Sequence, residues 1–327
     1  MRVKERNPKF LRKKFRERFL DPEVLNRIEA AQNSPETRRR LSEMKKCVKN
    51  RMSDMFYIGF LGFVATVVVV NFFGNYALIP CAAIWCYCYN IFKSRNVDVD
   101  DLYVNNFLTP VLNEIFPDTV VDYHGGMDFE IMENLVYNSN KYYSNCHIIF
   151  GDDYKTEFCN MRCWHYTSDK NGRKEEHTDF CGQVLVARFN TNINGHIRIA
   201  PVYEKGFFGK KLFGPYGSKR DGEEEIQTES IEFNNAYSIF STDDLYSRLI
   251  LDANILEILN NLSRKINVAI YMNESYVAIA FQSNHFLFSA PATGWGVEKL
   301  SLAGEYEQIR TKLADFYALI DIIGEKF

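Results

Sequence analysis

The chain has 327 residues, with 39 Lys or Arg against 42 Asp or Glu and a formal net charge of −3. That near balance averages two unlike parts: residues 1–54 hold 17 Lys or Arg against 8 Asp or Glu, a net of +9, which leaves −12 for the remainder. The basic excess is confined to a leader, so the acidic body does not read as a nucleic-acid binder, and no specific nucleic-acid partner is expected.

The leader begins with Phe10, Leu11, Phe15, Phe19 and Leu20 near helical spacing among Arg12, Lys13, Lys14, Arg16 and Arg18. This pattern predicts a basic helix that either lies on an anionic lipid surface or is simply solvated. Asp21-Pro22-Glu23 predicts the cap and first turn of a second helix, ending near Gln32. Ser34-Pro35-Glu36-Thr37 opens a third, running through Arg38-Arg39-Arg40.

Residues 55–92 contain no charged side chain. As one helix these 38 residues would extend about 57 Å, against a hydrocarbon core of about 30 Å. The run therefore predicts a two-helix transmembrane hairpin, 55–73 and 76–92, turning at Gly74-Asn75. Tyr57, Tyr76, Trp85, Tyr87 and Tyr89 supply candidate interfacial rings, with Trp85 falling near mid-span, and Pro80 is tolerable in a membrane helix. The basic leader precedes the first limb, Lys93 and Arg95 follow the second, and the turn is uncharged. Basic flanks stay on the cytoplasmic side. The expected localisation is a membrane, multi-pass, with both termini cytoplasmic. The run starts too far from the N-terminus for a secretory signal.

Beyond the hairpin, 98–116 predicts a helix with the apolar stripe Leu102, Phe107, Leu108, Val111, Leu112, Ile115 and Phe116, bent at Pro110. From about 120 the period changes. Segments 148–150, 158–166, 182–190 and 196–202 are strand-like, and 167–172 is a hairpin connection. An extended segment follows at 229–240, then a helix over 245–265 capped by Thr242-Asp243-Asp244. A β-hairpin over 266–272 and 276–282 precedes a closing amphipathic helix, 305–323. The organisation expected is a helical leader (1–54), a transmembrane hairpin (55–92) and an α+β domain with a mainly antiparallel sheet (98–327).

Several blocks in this domain carry a resemblance. Phe180-Cys181-Gly182, Arg188-Phe189-Asn190 and Gly195 form one. Glu232-Phe233, the run Tyr237-Ser238-Ile239-Phe240-Ser241-Thr242-Asp243-Asp244, Arg248-Leu249-Ile250-Leu251 and Ile255-Leu256-Glu257-Ile258-Leu259 form a second, and the hairpin at Tyr276-Val277-Ala278-Ile279-Ala280 completes it. Over roughly 110–325 the chain resembles the bacterial family called domain of unknown function 3137, whose members often carry a membrane hairpin ahead of the domain. The resemblance implies no activity, substrate or catalytic residue. The Cys- and His-rich stretch from 146 to 181 departs from the family pattern.

That stretch holds the candidate metal ligands Cys159, Cys163, His165, His177 and Cys181. Thiolate and imidazole ligands suit zinc, but C-x3-C and H-x3-C are not knuckle spacings. In regular strands Cys159, Cys163 and His165 share one face, and His177 and Cys181 share one on the next strand. Each cysteine equally suits a small buried core position, and a cytoplasmic domain is kept reduced. Cys86 and Cys88 are open either to lipidation or to plain residence in an apolar helix. No G-x-S-x-G elbow or phosphate-cradling loop is present. His124-Gly125-Gly126 reads as a turn, and the glycine-rich stretch 206–217 as a long loop. No catalytic residue and no cofactor is assigned. Two function classes remain: a membrane-anchored interaction or scaffold protein with a lipid or protein partner, and a membrane-tethered enzyme, such as a metal-dependent hydrolase using the Cys/His stretch.

Overall fold

The computed structural model describes residues 17–95, 99–152, 154–168, 172, 174–188, 190–205, 211–291, 294–324 and 326. Phe10, Leu11 and Phe15 of the predicted basic helix, part of the 167–172 connection and the 206–210 part of the glycine-rich loop lie outside the described residues. The chain forms two compact units. One comprises residues 28–108 and 290–305; the other comprises 1–27, 109–289 and 306–327.

In the first unit, helix α2 (Pro35–Phe73) follows helix α1 (Pro22–Gln32), whose later residues belong here. Ser34 caps α2 as its spacing predicts, its side chain accepting from the Thr37 N–H at 3.1 Å, with Pro35 in the first turn. The expected third leader helix and first apolar limb are therefore one continuous helix of 39 residues. Gly74, at φ +49°, opens a short 3-10 turn over Gly74–Tyr76, a conformation that suits glycine. Helix α3 (Leu78–Arg95) then packs back on α2. Gly62 permits this: a Cβ there would sit 3.2 Å from the Cys88 sulfur and 3.6 Å from the Trp85 ring. Helix α2 is long and apolar enough to cross a membrane; the apolar part of α3, Leu78–Ile91, is shorter. Only 6% of the apolar window of α2 is buried.

Helix α4 (Val99–Tyr103) is followed by a π-helical turn, Val104–Leu108, and then by helix α5 (Thr109–Ile115). The irregular turn ends two residues before Pro110, the position where a bend is expected because proline brings no N–H.

In the second unit, nine strands form one antiparallel sheet among the described residues. They are β1 (Val120–Asp122), β2 (Lys141–Ile149), β3 (Glu157–Ser168), β4 (Lys174–Arg188), β5 (His196–Pro201), β8 (Glu224–Ile226), β9 (Tyr237–Ser241), β10 (Asn267–Asn273) and β11 (Tyr276–Gln282), in the order β1-β2-β3-β4-β11-β10-β5-β9-β8. A separate two-stranded ribbon joins β6 (Glu204–Lys205) to β7 (Lys211–Leu212). The fold is thus α+β with a mainly antiparallel sheet and several helices. The expected hairpin over 266–272 and 276–282 forms, Met272 opposite Val277 through Asn267 opposite Gln282.

One sheet face packs Cys159, Met161, Val184, Val186 and Ala278 against helix α6 (Phe129–Leu135) and the buried Phe213 and Tyr216. Phe213 is therefore a core residue although it lies in the glycine-rich stretch. The other face carries an aromatic cluster in which Phe19, Phe116, Phe150 and Tyr317 meet at centroid distances of 5.1 to 5.5 Å. Tyr317 stands on helix α11 (Leu302–Gly324), where Phe316 stacks on Phe281 at 3.8 Å.

Two predicted elements differ in detail. The single helix expected over 245–265 is broken into α8 (Asp244–Ile250) and α9 (Ala253–Ser263), because Asp252 accepts from the N–H groups of Asn254 and Ile255 and starts a new helix. The first half of the extended 229–240 segment is a helix, α7 (Ile231–Ala236), started by Ser230, whose side chain accepts from Phe233 N–H. Short polar side chains at these caps outweigh the apolar periodicity around them.

The loop from β5 to β8 is pinned by a buried ion pair. The Arg198 guanidinium donates to Glu223 at 2.8 and 3.0 Å, and to the carbonyls of Tyr216, Gly217 and Ser218 at 2.7 to 3.1 Å. It lies 4.7 Å above the Phe240 ring. Burial alone would raise the Glu223 carboxyl, but hydrogen bonds from His196, Arg198 and the Arg220 N–H hold it well below its ordinary value. A carboxylate held low contributes stability that is present above the unfolded value, near 4.5, and is lost as pH falls through the lower folded value. Glu223→Gln is expected to cost about 3–5 kcal/mol in chemical denaturation at pH 7, since it leaves Arg198 buried without its counter-charge. It should also flatten the acid limb of the stability curve below pH 4.5. An unchanged curve would show that Glu223 is not ionised in the fold.

Gly182 lies in β4 beside β11, where a Cβ would meet the Phe281 carbonyl oxygen at 1.9 Å. Backbone must move to admit any side chain. Gly182→Ala is expected to destabilise by about 3 kcal/mol or more; a thermal transition close to that of the parent chain would refute this.

Candidate functional site

The site grows out of the two longest strands. β3 and β4 pair from Glu157 opposite Val186 to Cys163 opposite Phe180, and resume with Trp164 opposite Thr178 through Ser168 opposite Lys174. Asp179 therefore has no partner on β3: it is the extra residue of a β-bulge. The bulge reverses the alternation on β4. His177 comes opposite His165, while Cys181 comes opposite Arg162.

This separates the five predicted metal ligands. Cys159 and Cys163 are wholly buried in the core beside Phe180 and Val184. Burial pushes both thiols far above their ordinary value, and a thiol that stays protonated is a poor ligand. Cys181 shares a face with Arg162 rather than with His177; burial raises its thiol, partly opposed by Arg162. Among the described residues no group of three or more His, Cys, Asp and Glu is arranged to hold a metal ion. The five-residue set is not brought together; only His165 and His177 are.

Around those two a polar cleft is built. His165 Nδ1 lies 2.7 Å from Asp179 Oδ1, and the other oxygen of Asp179 accepts from the Ser139 hydroxyl at 2.8 Å. The Asp179 side chain is about nine-tenths buried, whereas His165 is about one-third exposed. The imidazoles of His165 and His177 lie 5.5 Å apart, and His177 Nε2 is 2.8 Å from the Thr167 hydroxyl. A cavity of about 560 Å³ opens here, lined also by Asn138, Asn140, Thr178 and Tyr203. Among the described residues, no Lys or Arg lines it.

A carboxylate can only accept, so His165 must carry its proton on Nδ1 to bond Asp179. That leaves the Nε2 lone pair for the cleft. Such an oriented imidazole can take a proton or ligate a cation. Ser139 serves the carboxylate and not His165, so the three do not form a nucleophilic relay. Sequence reasoning missed Asp179 and Ser139. Asp179 sits visibly between His177 and Cys181, but a one-residue bulge leaves no mark in the pattern, and Ser139 is 40 residues away in sequence.

Asp152 and Asp243 have local structural partners. Asp152 is buried and accepts from Thr156 N–H at 2.8 Å and the Tyr317 hydroxyl at 3.2 Å. Asp243 caps α8 through the Tyr246 N–H. His124-Gly125-Gly126 is a turn, closed by the Gly125 N–H on Asp122. In nitrogen-detected NMR of the folded chain, His165 is expected to be the Nδ1–H tautomer near pH 8, and Asp179→Ala to shift it toward the ordinary Nε2–H form. The Nε2–H tautomer in the parent chain would disprove the Asp179 bond.

No curated protein matches the sequence. Among solved structures, the chain is similar to the mycobacterial trehalose monomycolate transport factor A, TtfA, with a TM-score of 0.33 and 9% identity, over 62% of this chain and 88% of that one. A likeness at this level carries no functional argument. A match to the family described as "Protein of unknown function (DUF3137)" covers residues 178–325, and this is the family that the Phe180 to Ala280 blocks resemble.

Proposed function

We propose that the protein is a membrane-anchored interaction or scaffold protein. Its hairpin, residues 55–92, crosses the bilayer twice, its termini are cytoplasmic, and its α+β domain meets a protein partner beside the membrane. The observation that carries this reading is the apolar surface of the α2–α3 hairpin. Phe56, Phe72, Tyr76, Leu78 and Ile79 are each more than three-quarters exposed. A soluble protein rarely leaves so large a contiguous apolar patch in water, whereas a bilayer removes it. The uncharged part of α2, 19 residues, rises about 28 Å, close to the hydrocarbon thickness. The shorter α3 is accommodated by local thinning of the bilayer or by drawing the turn below the headgroups. The +9 leader supports a cytoplasmic N-terminus and attraction to anionic headgroups, weakened by salt. A second reading, a membrane-tethered metal-dependent hydrolase, draws support from the Asp179–His165 pair.

Cysteine accessibility in intact cells or sealed spheroplasts checks the topology. In a chain whose only reporter cysteine is Cys47, a membrane-impermeant maleimide is expected to label only after permeabilisation. A reporter placed by Asn75→Cys is expected to label from outside. Labelling of both from the same side would leave the first limb without a crossing. Release of the chain by alkaline carbonate would remove the anchor altogether.

A further inference from the structure

We propose that His165 and His177 hold a divalent transition-metal ion of the imidazole-binding class, such as Zn²⁺, at the polar cleft of the β3–β4 pair. The inference stands apart from the membrane reading and replaces the five-residue Cys/His set with two histidines. Three observations converge. First, the bulge at Asp179 brings His165 and His177 opposite one another across adjacent strands, with ring centroids 5.5 Å apart. Two imidazoles on one tetrahedral ion, with metal–nitrogen bonds of about 2.1 Å, have centroids about 5 Å apart. The backbone therefore already spaces the rings. His177 is about half exposed. It exchanges its bond to Thr167 for the ion by rotating about χ2, a torsion with a broad minimum.

Second, Asp179 fixes His165 as metal-binding histidines are fixed: a carboxylate on one ring nitrogen sets the tautomer and turns the other lone pair outward. Ser139 in turn holds the carboxylate. Third, the cleft suits a cation. Its lining presents Asn and Thr oxygens, and among the described residues no Lys or Arg lines it. With two protein ligands, water completes the coordination sphere. The ion is exchangeable rather than structural, and folding does not require it. Each histidine binds the ion through an unprotonated ring nitrogen. Among the described residues, Asp179 holds His165 at 2.7 Å and Glu175 lies 3.9 Å from His177. Both favour a cation.

The test is isothermal titration of the full-length, metal-stripped chain in detergent with ZnCl₂ at pH 7.5, followed by Co²⁺ absorption spectra. One equivalent is expected to bind. His165→Gln and His177→Gln should each weaken binding at least tenfold, and the double variant should abolish it. Asp179→Asn should weaken it by about 10–100-fold, the usual effect of losing a carboxylate behind a ligating histidine. Cys181→Ser should bind as the parent does. Thermal unfolding of each variant shows that the chain still folds. Absence of saturable binding by the folded parent, or binding that survives the double histidine variant, overturns the proposal.

Discussion

The register of the β3–β4 pair is the constraint on which the rest of the domain depends. These strands, of 12 and 15 residues, are the longest in the sheet, and β4 also pairs with β11. Side chains alternate strictly along a strand, so a slip of one residue would turn Cys159, Met161 and Cys163 out of this core onto the opposite sheet face, which is filled by other side chains such as Phe158 and Leu185. The pairing avoids this over the core by staying regular from Glu157 to Cys163. It then spends one irregularity, at Asp179, where the strands pass beyond the packed core. The same backbone feature keeps the apolar half intact and faces two histidines and a carboxylate toward one cleft.

A second constraint acts on the same sheet face, nearer its β9–β8 edge. The chain between β5 and β8 leaves and re-enters the sheet through irregular backbone, whose carbonyls need partners when buried. Arg198 supplies several at once, with Glu223 as counter-charge and Phe240 as a floor. A guanidinium suits this role better than an ammonium, since its fixed fork serves several acceptors in one plane. The arrangement explains how Phe213 and Tyr216 are held in the core although they lie in a glycine-rich stretch.

In the helical unit the governing quantity is apolar area. Hiding apolar surface from water is worth about 25 cal/mol per Å². A hairpin that exposes so many Phe, Val and Leu side chains leaves a large favourable transfer unrealised in water. Under the proposed reading the bilayer realises it. Packing between the two limbs then rests on close approach at Gly62 rather than on the hydrophobic effect, since lipid is as apolar as the opposing helix.

Much was legible from the sequence, for identifiable reasons. The uncharged run at 55–92, the caps at Ser34 and Asp243, the 276–282 strand and its turn, and the α+β class each depend on local periodicity or on a side chain bonding backbone a few residues away. Such signals survive in one dimension. The break at Asp252 and the helix at Ile231–Ala236 were hidden because a single capping residue competes with a longer apolar pattern. The site was decided only by the tertiary structure. Strand parity predicts that His177 and Cys181 share a face; a single unpaired residue between them reverses this, and nothing in the order of residues marks a bulge. Likewise, that Cys159 and Cys163 are core, that Ser139 supports Asp179, and that Arg198 finds Glu223 follow from which strands and loops meet in space. Residue type and spacing determined which groups were available for chemistry; strand register determined which of them share a cleft.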